Sequence, residues 1–341
     1  MNSIFKPNSL IAETAATVKK RSFFKVALIF LLIYLIGSTA ASVLLTTPMY
    51  IAISQDQEVV DAMNGDMTDP TEYTLNYSDA INNALTRLIE EMPVWLCILQ
   101  LFATVATIIA VFIYCTKIEK RRLFTLGFAK QNAFKEYLFG LLIGLLMFSL
   151  AYGTILLSGE YKFVGFNQNA SIVAIVLFFI GFIVQGASEE ILLRGYFYVS
   201  SAASGNVPIA IFVSSALFAA MHISNPGISF MAVINLFLFG VFAALYFLRR
   251  GNIWGISAIH TIWNFAQGNI FGCKVSGMNM GETIFNTVET NGVLWSGGDF
   301  GPEGGIGVTV VLTIGIIVLT LMKNKDIDGF FIRSDVEFVS A

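Results

Sequence analysis

The sequence predicts an all-α, polytopic membrane helix bundle of about eight transmembrane helices. Three observations predict it. Hydrophobic residues make up 56% of the 341-residue chain and charged residues only 13%, where a soluble domain carries about 25% charged residues. The apolar residues are gathered in runs long enough to span a bilayer. The only two histidines, His222 and His260, and the charged cluster Glu189, Glu190 and Arg194 all fall inside such runs. Charge inside a bilayer is costly, so it persists mainly where it is paired or functional.

The apolar runs lie near 23–47, 93–115, 137–158, 171–200, 207–224, 228–248, 252–271 and 305–322. Lipid offers no partner for exposed backbone groups, so each run is expected to be helical. Lys19, Lys20, Arg21 and Lys25 mark the start of the first helix, which reads as an uncleaved membrane helix rather than a signal peptide. Lys117, Lys120, Arg121, Arg122, Lys130 and Lys135 fill the connection between helices two and three. Arg249 and Arg250 follow helix six, and Lys323 and Lys325 follow helix eight. With eight alternating helices all these bases share one side, which the positive-inside rule makes cytoplasmic. Residues 1–22 and 323–341 are then cytoplasmic segments on either side of a membrane bundle over 23–322. The expected location is a cell membrane of bacterial type, with both termini cytoplasmic.

Two connections are expected on the outer side. Residues 48–91 carry Asp56, Glu58, Asp61, Asp66, Asp69, Glu72, Asp79, Glu90 and Glu91 against Arg87. This stretch reads as a solvated acidic loop with a short helix near 79–91 capped by Ser78. Residues 272–304 are rich in Gly and read as a flexible loop. Cys97, Cys115 and Cys273 have no ligand spacing and read as isolated thiols. There is no glycine-rich nucleotide loop, and nothing suggests a nucleic-acid partner. Membrane lipid and a peptide or membrane-protein substrate are the expected partners.

Spacing sorts the charged cluster. Each helical residue turns about 100°, so Glu190 and Arg194 share a face within about 40°, while Glu189 points roughly 140° away. The acid precedes the base by one turn, the favourable order. Glu190 and Arg194 can thus brace the bundle as a pair, leaving Glu189 without that partner. Phe218 and His222 share a second helix face, and His260 and Asn264 a third. His260 and Asn264 could tie helices together or hold an oxyanion. Counted from the cytoplasmic ends, Glu189 lies about 17 Å deep, His222 about 23 Å, and His260 and Asn264 about 12 and 18 Å. These depths permit the three motifs to meet near mid-membrane.

In order along the chain, Glu189-Glu190-Ile-Leu-Leu-Arg194, Phe218-Ala-Ala-Met-His222 and His260-Thr-Ile-Trp-Asn264 form the patterns EExxxR, FxxxH and HxxxN. Together with Gly195-Tyr196-Phe197 and Gly251-Asn252-Ile253-Trp254, they resemble the CAAX-protease and bacteriocin-processing (CPBP, or Abi) family of intramembrane endopeptidases. The resemblance covers 185–265 strongly and about 120–270 loosely. It implies a helical fold with a cavity in the membrane, open toward the cytoplasm or the bilayer, and peptide-bond hydrolysis. It implies that Glu189 activates the attacking water, assisted by His222. His260 and Asn264 would stabilise the oxyanion, and Glu190 and Arg194 would organise the site.

The resemblance implies no cofactor. Zinc held by Glu189, His222 and His260 is the metal alternative, although no HExxH helix is present. The expected substrate is a membrane-associated, lipidated or precursor peptide. One alternative is a non-catalytic bacteriocin-immunity or envelope-scaffold protein on the same fold. Another is ion-coupled transport, against which no inverted repeat is found.

Overall fold

The computed structural model describes residues 5–90 and 92–322. The side chain of Glu90, Glu91, and the tail 323–341 with Lys323 and Lys325 lie outside the described residues. The helices are α1 (Ser9–Thr17), α2 (Phe23–Ser54), α3 (Gln57–Met63), α4 (Pro70–Glu90), α5 (Val94–Ala103), α6 (Val105–Ile113), α7 (Ala133–Ser158), α8 (Ile172–Glu190), α9 (Val199–Ser204), α10 (Val207–Met221), α11 (Phe230–Arg250), α12 (Ile253–Phe265) and α13 (Ile306–Leu321). Two strands, β1 (Tyr161–Phe166) and β2 (Phe285–Glu289), pair antiparallel.

Each apolar run of the sequence is helical. Five continuous helices are long and apolar enough to cross a membrane: Phe23–Ser54, Val94–Ile118, Ala133–Ser158, Ile172–Ser204 and Phe230–Arg250. Val207–Met221 and Ile306–Leu321 are shorter apolar helices. α12 is enclosed by its neighbours along most of its length. The lipid-facing surface is apolar, with Leu31, Leu32, Leu35, Ile36, Leu142, Leu146 and Leu150 exposed. The protein is an integral membrane protein.

Close packing of α7 on α12 sets the floor of the bundle. A Cβ on Gly140 would lie 2.3 Å from the Gly255 carbonyl oxygen, so only glycine permits this approach. Gly153, on the same helix, faces open space. Gly140→Leu is therefore expected to destabilise the purified protein by at least the ~1–3 kcal/mol typical of overpacking. Gly153→Ala should leave thermal unfolding unchanged or slightly improved.

The connections divide between two faces. On one face Arg250 pairs with Glu136, Trp254 Nε1 donates to Ala129 O at 2.7 Å, and Arg122 reaches Glu13. On the other, β1 and β2 join the connections after α7 and α12, and the Glu160 carboxylate accepts from the Trp295 and Ser296 amides at 2.9 and 2.8 Å.

Two connecting segments differ from the sequence expectation. The acidic stretch is a helical hairpin of α3 and α4. Its long helix starts at Pro70, where Asp69 Oδ1 accepts the Thr71 and Glu72 amides. Ser78 instead lies within α4 and donates to Leu75 O. Arg87 ties the hairpin by bonds of 2.7 Å to Asp56 and to Glu58. The hydrogen bond from Arg87 holds the Asp56 carboxyl below the usual carboxylate range.

The Gly-rich segment 272–304 is an ordered cap rather than a flexible loop. Gly277, at φ +88°, donates to Phe300 O at 2.9 Å, and a Cβ there would meet Pro226 O at 2.0 Å. Asn235 Nδ2 donates to the carbonyls of Glu303 and Gly305 at 2.8 and 2.9 Å. Cys97, Cys115 and Cys273 are free and buried.

Candidate active site

Three helices deliver the polar residues to one place. α8 and α12 approach closely at Gly186, where a Cβ would sit 3.1 Å from the Thr261 amide nitrogen. That contact brings Glu189 and Glu190 beside His260. α10 stops at Met221, so His222 is its C-terminal cap rather than a residue within the helix. A wide π-helical segment over Ile191–Tyr198 overlaps the first motif, and another over Ala266–Ile270 follows the third. Such turns recur at functional sites. Arg194 thus sits on a π turn, yet it still meets Glu190.

Glu190 and Arg194 are completely buried. Glu190 Oε1 accepts from Arg194 Nη1 at 3.1 Å and from His260 Nδ1 at 2.9 Å. Arg194 Nη2 also donates to Gly240 O at 3.2 Å. The Phe218 ring fills the space among these groups. The Arg194 guanidinium carbon lies 5.0 Å from its centroid, and the His222 and His260 rings lie 4.8 and 5.9 Å from it.

Glu189 has a different environment. Its Oε1 accepts from Gln185 Nε2 at 2.6 Å. Its Oε2 is buried and has no hydrogen-bond partner, and it faces His222 Nε2 at 4.0 Å and His260 Nε2 at 3.9 Å. His222 Nδ1 lies 2.8 Å from Phe218 O. A carbonyl only accepts, so Nδ1 carries the proton, and the neutral imidazole offers a lone pair at Nε2. Asn264 Nδ2 donates to Gln185 Oε1 at 3.1 Å.

These groups line a cavity of about 360 Å³ among α2, α5, α6, α8, α10, α11, α12 and α13. Ser276, Met278 and Glu303 of the Gly-rich cap also line it. The cavity therefore reaches the layer formed by the cap, on the face opposite Arg250 and Glu136.

The structure thus brings together all six residues singled out in the sequence. Spacing separated Glu189 from the Glu190–Arg194 pair, and the observed geometry has the same division. Gln185 escaped the sequence reading although it precedes Glu189 by one helical turn, the spacing that lets side chains pair. Asn225, Ser276 and Glu303 were also missed; their contact with the site depends on how the cap folds.

Residues 171–266 match the family model described as type II CAAX prenyl endopeptidase Rce1-like. That segment is similar to the CPBP family. The match contains EExxxR, FxxxH and HxxxN, and so every residue of the constellation named from the sequence. No curated protein and no solved structure matches the chain. The similarity supports a protease.

The chemistry of Glu189, His222 and His260 would suit zinc. Among the described residues no group of three or more His, Cys, Asp or Glu is arranged as a metal site.

Proposed function

We propose that this CPBP protein is an intramembrane endopeptidase in which Glu189, assisted by His222, activates the water that attacks the scissile carbonyl. One observation carries the reading. Glu189 Oε2 lacks a hydrogen-bond partner and faces two imidazole Nε2 atoms at 3.9 and 4.0 Å, inside a cavity. Polar atoms at such separations are suited to bridging by a shared water oxygen. A water there can donate to Glu189 Oε2 and to the His222 Nε2 lone pair. Proton transfer to the carboxylate then leaves a hydroxide-like nucleophile.

The tetrahedral oxyanion forms beside His260 and Asn264. For Nε2 of His260 to donate while Nδ1 donates to Glu190, the imidazole must carry both protons. Glu190 supplies the negative charge beside that cation, and Arg194 fixes Glu190. Asn264 offers its amide, and Gln185 spans Asn264 and Glu189 so that both face one reacting centre. Donors held in advance in a low-dielectric site stabilise developing charge strongly. The proton held by Glu189 returns to the leaving amine.

We assign the substrate class as a membrane-associated, lipidated or precursor peptide. The bundle is 23–322, with the CPBP-like part over about 120–270. The basic face is cytoplasmic by the positive-inside rule, with both terminal segments on that side of a bacterial cell membrane. The acidic hairpin and the cap are then external.

The test is peptide cleavage by purified protein in proteoliposomes, with Glu189→Gln and His222→Ala as variants. Cleavage lost in both supports the reading. Equal cleavage by wild type and both variants overturns it. No step passes through a metal, so EDTA or 1,10-phenanthroline should leave the initial rate unchanged. Inhibition reversed by added zinc would contradict the metal-free scheme.

A further inference from the structure

The cavity holds a second carboxylate that the hydrolytic scheme does not use. Glu303 lies in the cap, 9% exposed, and lines the cavity with Glu189, His222 and His260. Its Oε2 accepts from both the backbone nitrogen and Oγ of Ser276, each at 2.8 Å. Ser276 O accepts Asn225 Nδ2 at 3.2 Å, and the Asn225 amide donates to His222 O at 3.0 Å. A short run of hydrogen bonds therefore connects Glu303 with the turn that begins at His222.

Only neutral donors hold Glu303. Among the described residues its Oε1 has no hydrogen-bond or ion-pair partner, and no Lys or Arg lines the cavity. Bracing alone does not require a charge here, because a glutamine would offer Ser276 the same acceptor oxygen. A largely buried carboxylate that opens to a cavity without a counter-charge is costly. A cationic occupant relieves that cost and gains a charge-assisted hydrogen bond. The surrounding wall is largely apolar, including Leu101, Leu236, Phe239, Val308 and Leu312.

We propose that Glu303 is a specificity-determining subsite that takes a basic side chain of the substrate, within a few residues of the scissile bond. The substrate class is then an apolar peptide segment carrying one Lys or Arg. This proposal rests on the endopeptidase reading of the same cavity.

The test reads binding without turnover. An apolar fluorescent hexapeptide with one central Lys, and its counterpart with Gln, are titrated against Glu189→Gln protein and against the Glu189→Gln/Glu303→Gln double variant. The Lys peptide should bind the first protein about tenfold more tightly than the Gln peptide, a modest value for a desolvated charge pair. In the double variant that ratio should fall to about one. The conservative change keeps the acceptor for Ser276, and equal thermal unfolding of the two proteins checks the fold. Glu303→Lys in the same background should reverse the preference toward a peptide carrying Glu. A ratio that survives Glu303→Gln, or a ratio near one with Glu303 intact, overturns the proposal. Failure of the endopeptidase reading is a separate result, namely equal cleavage by wild type and Glu189→Gln.

Discussion

Glu189→Gln is expected to lower kcat for peptide hydrolysis by about 10²–10⁴-fold, the range for loss of a positioned general base. KM should change little, because the amide keeps the shape of the side chain. It also keeps an acceptor for Gln185. What disappears is the capacity to take a proton from water. The neighbouring variants should separate in kind. Asn264→Ala should lower kcat by about 10²–10³-fold, as loss of one oxyanion donor does. Gln185→Ala should reduce kcat less than Glu189→Gln, because Gln185 orients Glu189 and Asn264 without meeting the reacting atoms. Initial-rate kinetics on one cleavable peptide, with unfolding temperatures in parallel, checks the series.

Arg194→Ala is expected to cause the largest loss of stability among the site variants, about 3–5 kcal/mol, because it takes the guanidinium from a buried carboxylate and leaves it only the His260 imidazole. Arg194 and Glu190 are both inaccessible to solvent, so water cannot replace the lost bonds. The ring of Phe218 also loses the cation stacked on it. Glu190→Gln/Arg194→Met removes both charges and should recover much of the thermal stability. It should not recover activity, because His260 then lacks the carboxylate at its Nδ1. Thermal unfolding and kcat measured on the single and double variants separate these effects. A double variant with full activity would show that the pair serves folding alone.

The membrane bundle was legible in the sequence because lipid leaves the backbone few alternatives. The apolar run 137–158 falls within α7, and 228–248 is α11 shifted by two residues at each end. The start of α4 was legible but missed: Asp69-Pro70 is a capping residue followed by proline in the first turn. The cap over 272–304 was not legible. Its glycines suggest freedom when read locally, but Gly277 is required by the approach of Pro226. Helix depth permitted the convergence of Glu189, His222, His260 and Asn264 without requiring it. The separation of Glu189 from the Glu190–Arg194 pair followed from its angle to Arg194. Glu303 had no local signal, because its relation to the site passes through Ser276 and Asn225, distant in sequence.

Quantitative peptidomics of membrane and secreted fractions tests the central claim most directly. Cells that natively make the protein would carry wild type, Glu189→Gln or His222→Ala at equal expression. If Glu189 and His222 activate water, a defined set of cleaved peptides disappears in both variants, and their uncleaved precursors accumulate. Unchanged peptides in both variants, with any deletion phenotype still rescued, would contradict the endopeptidase account.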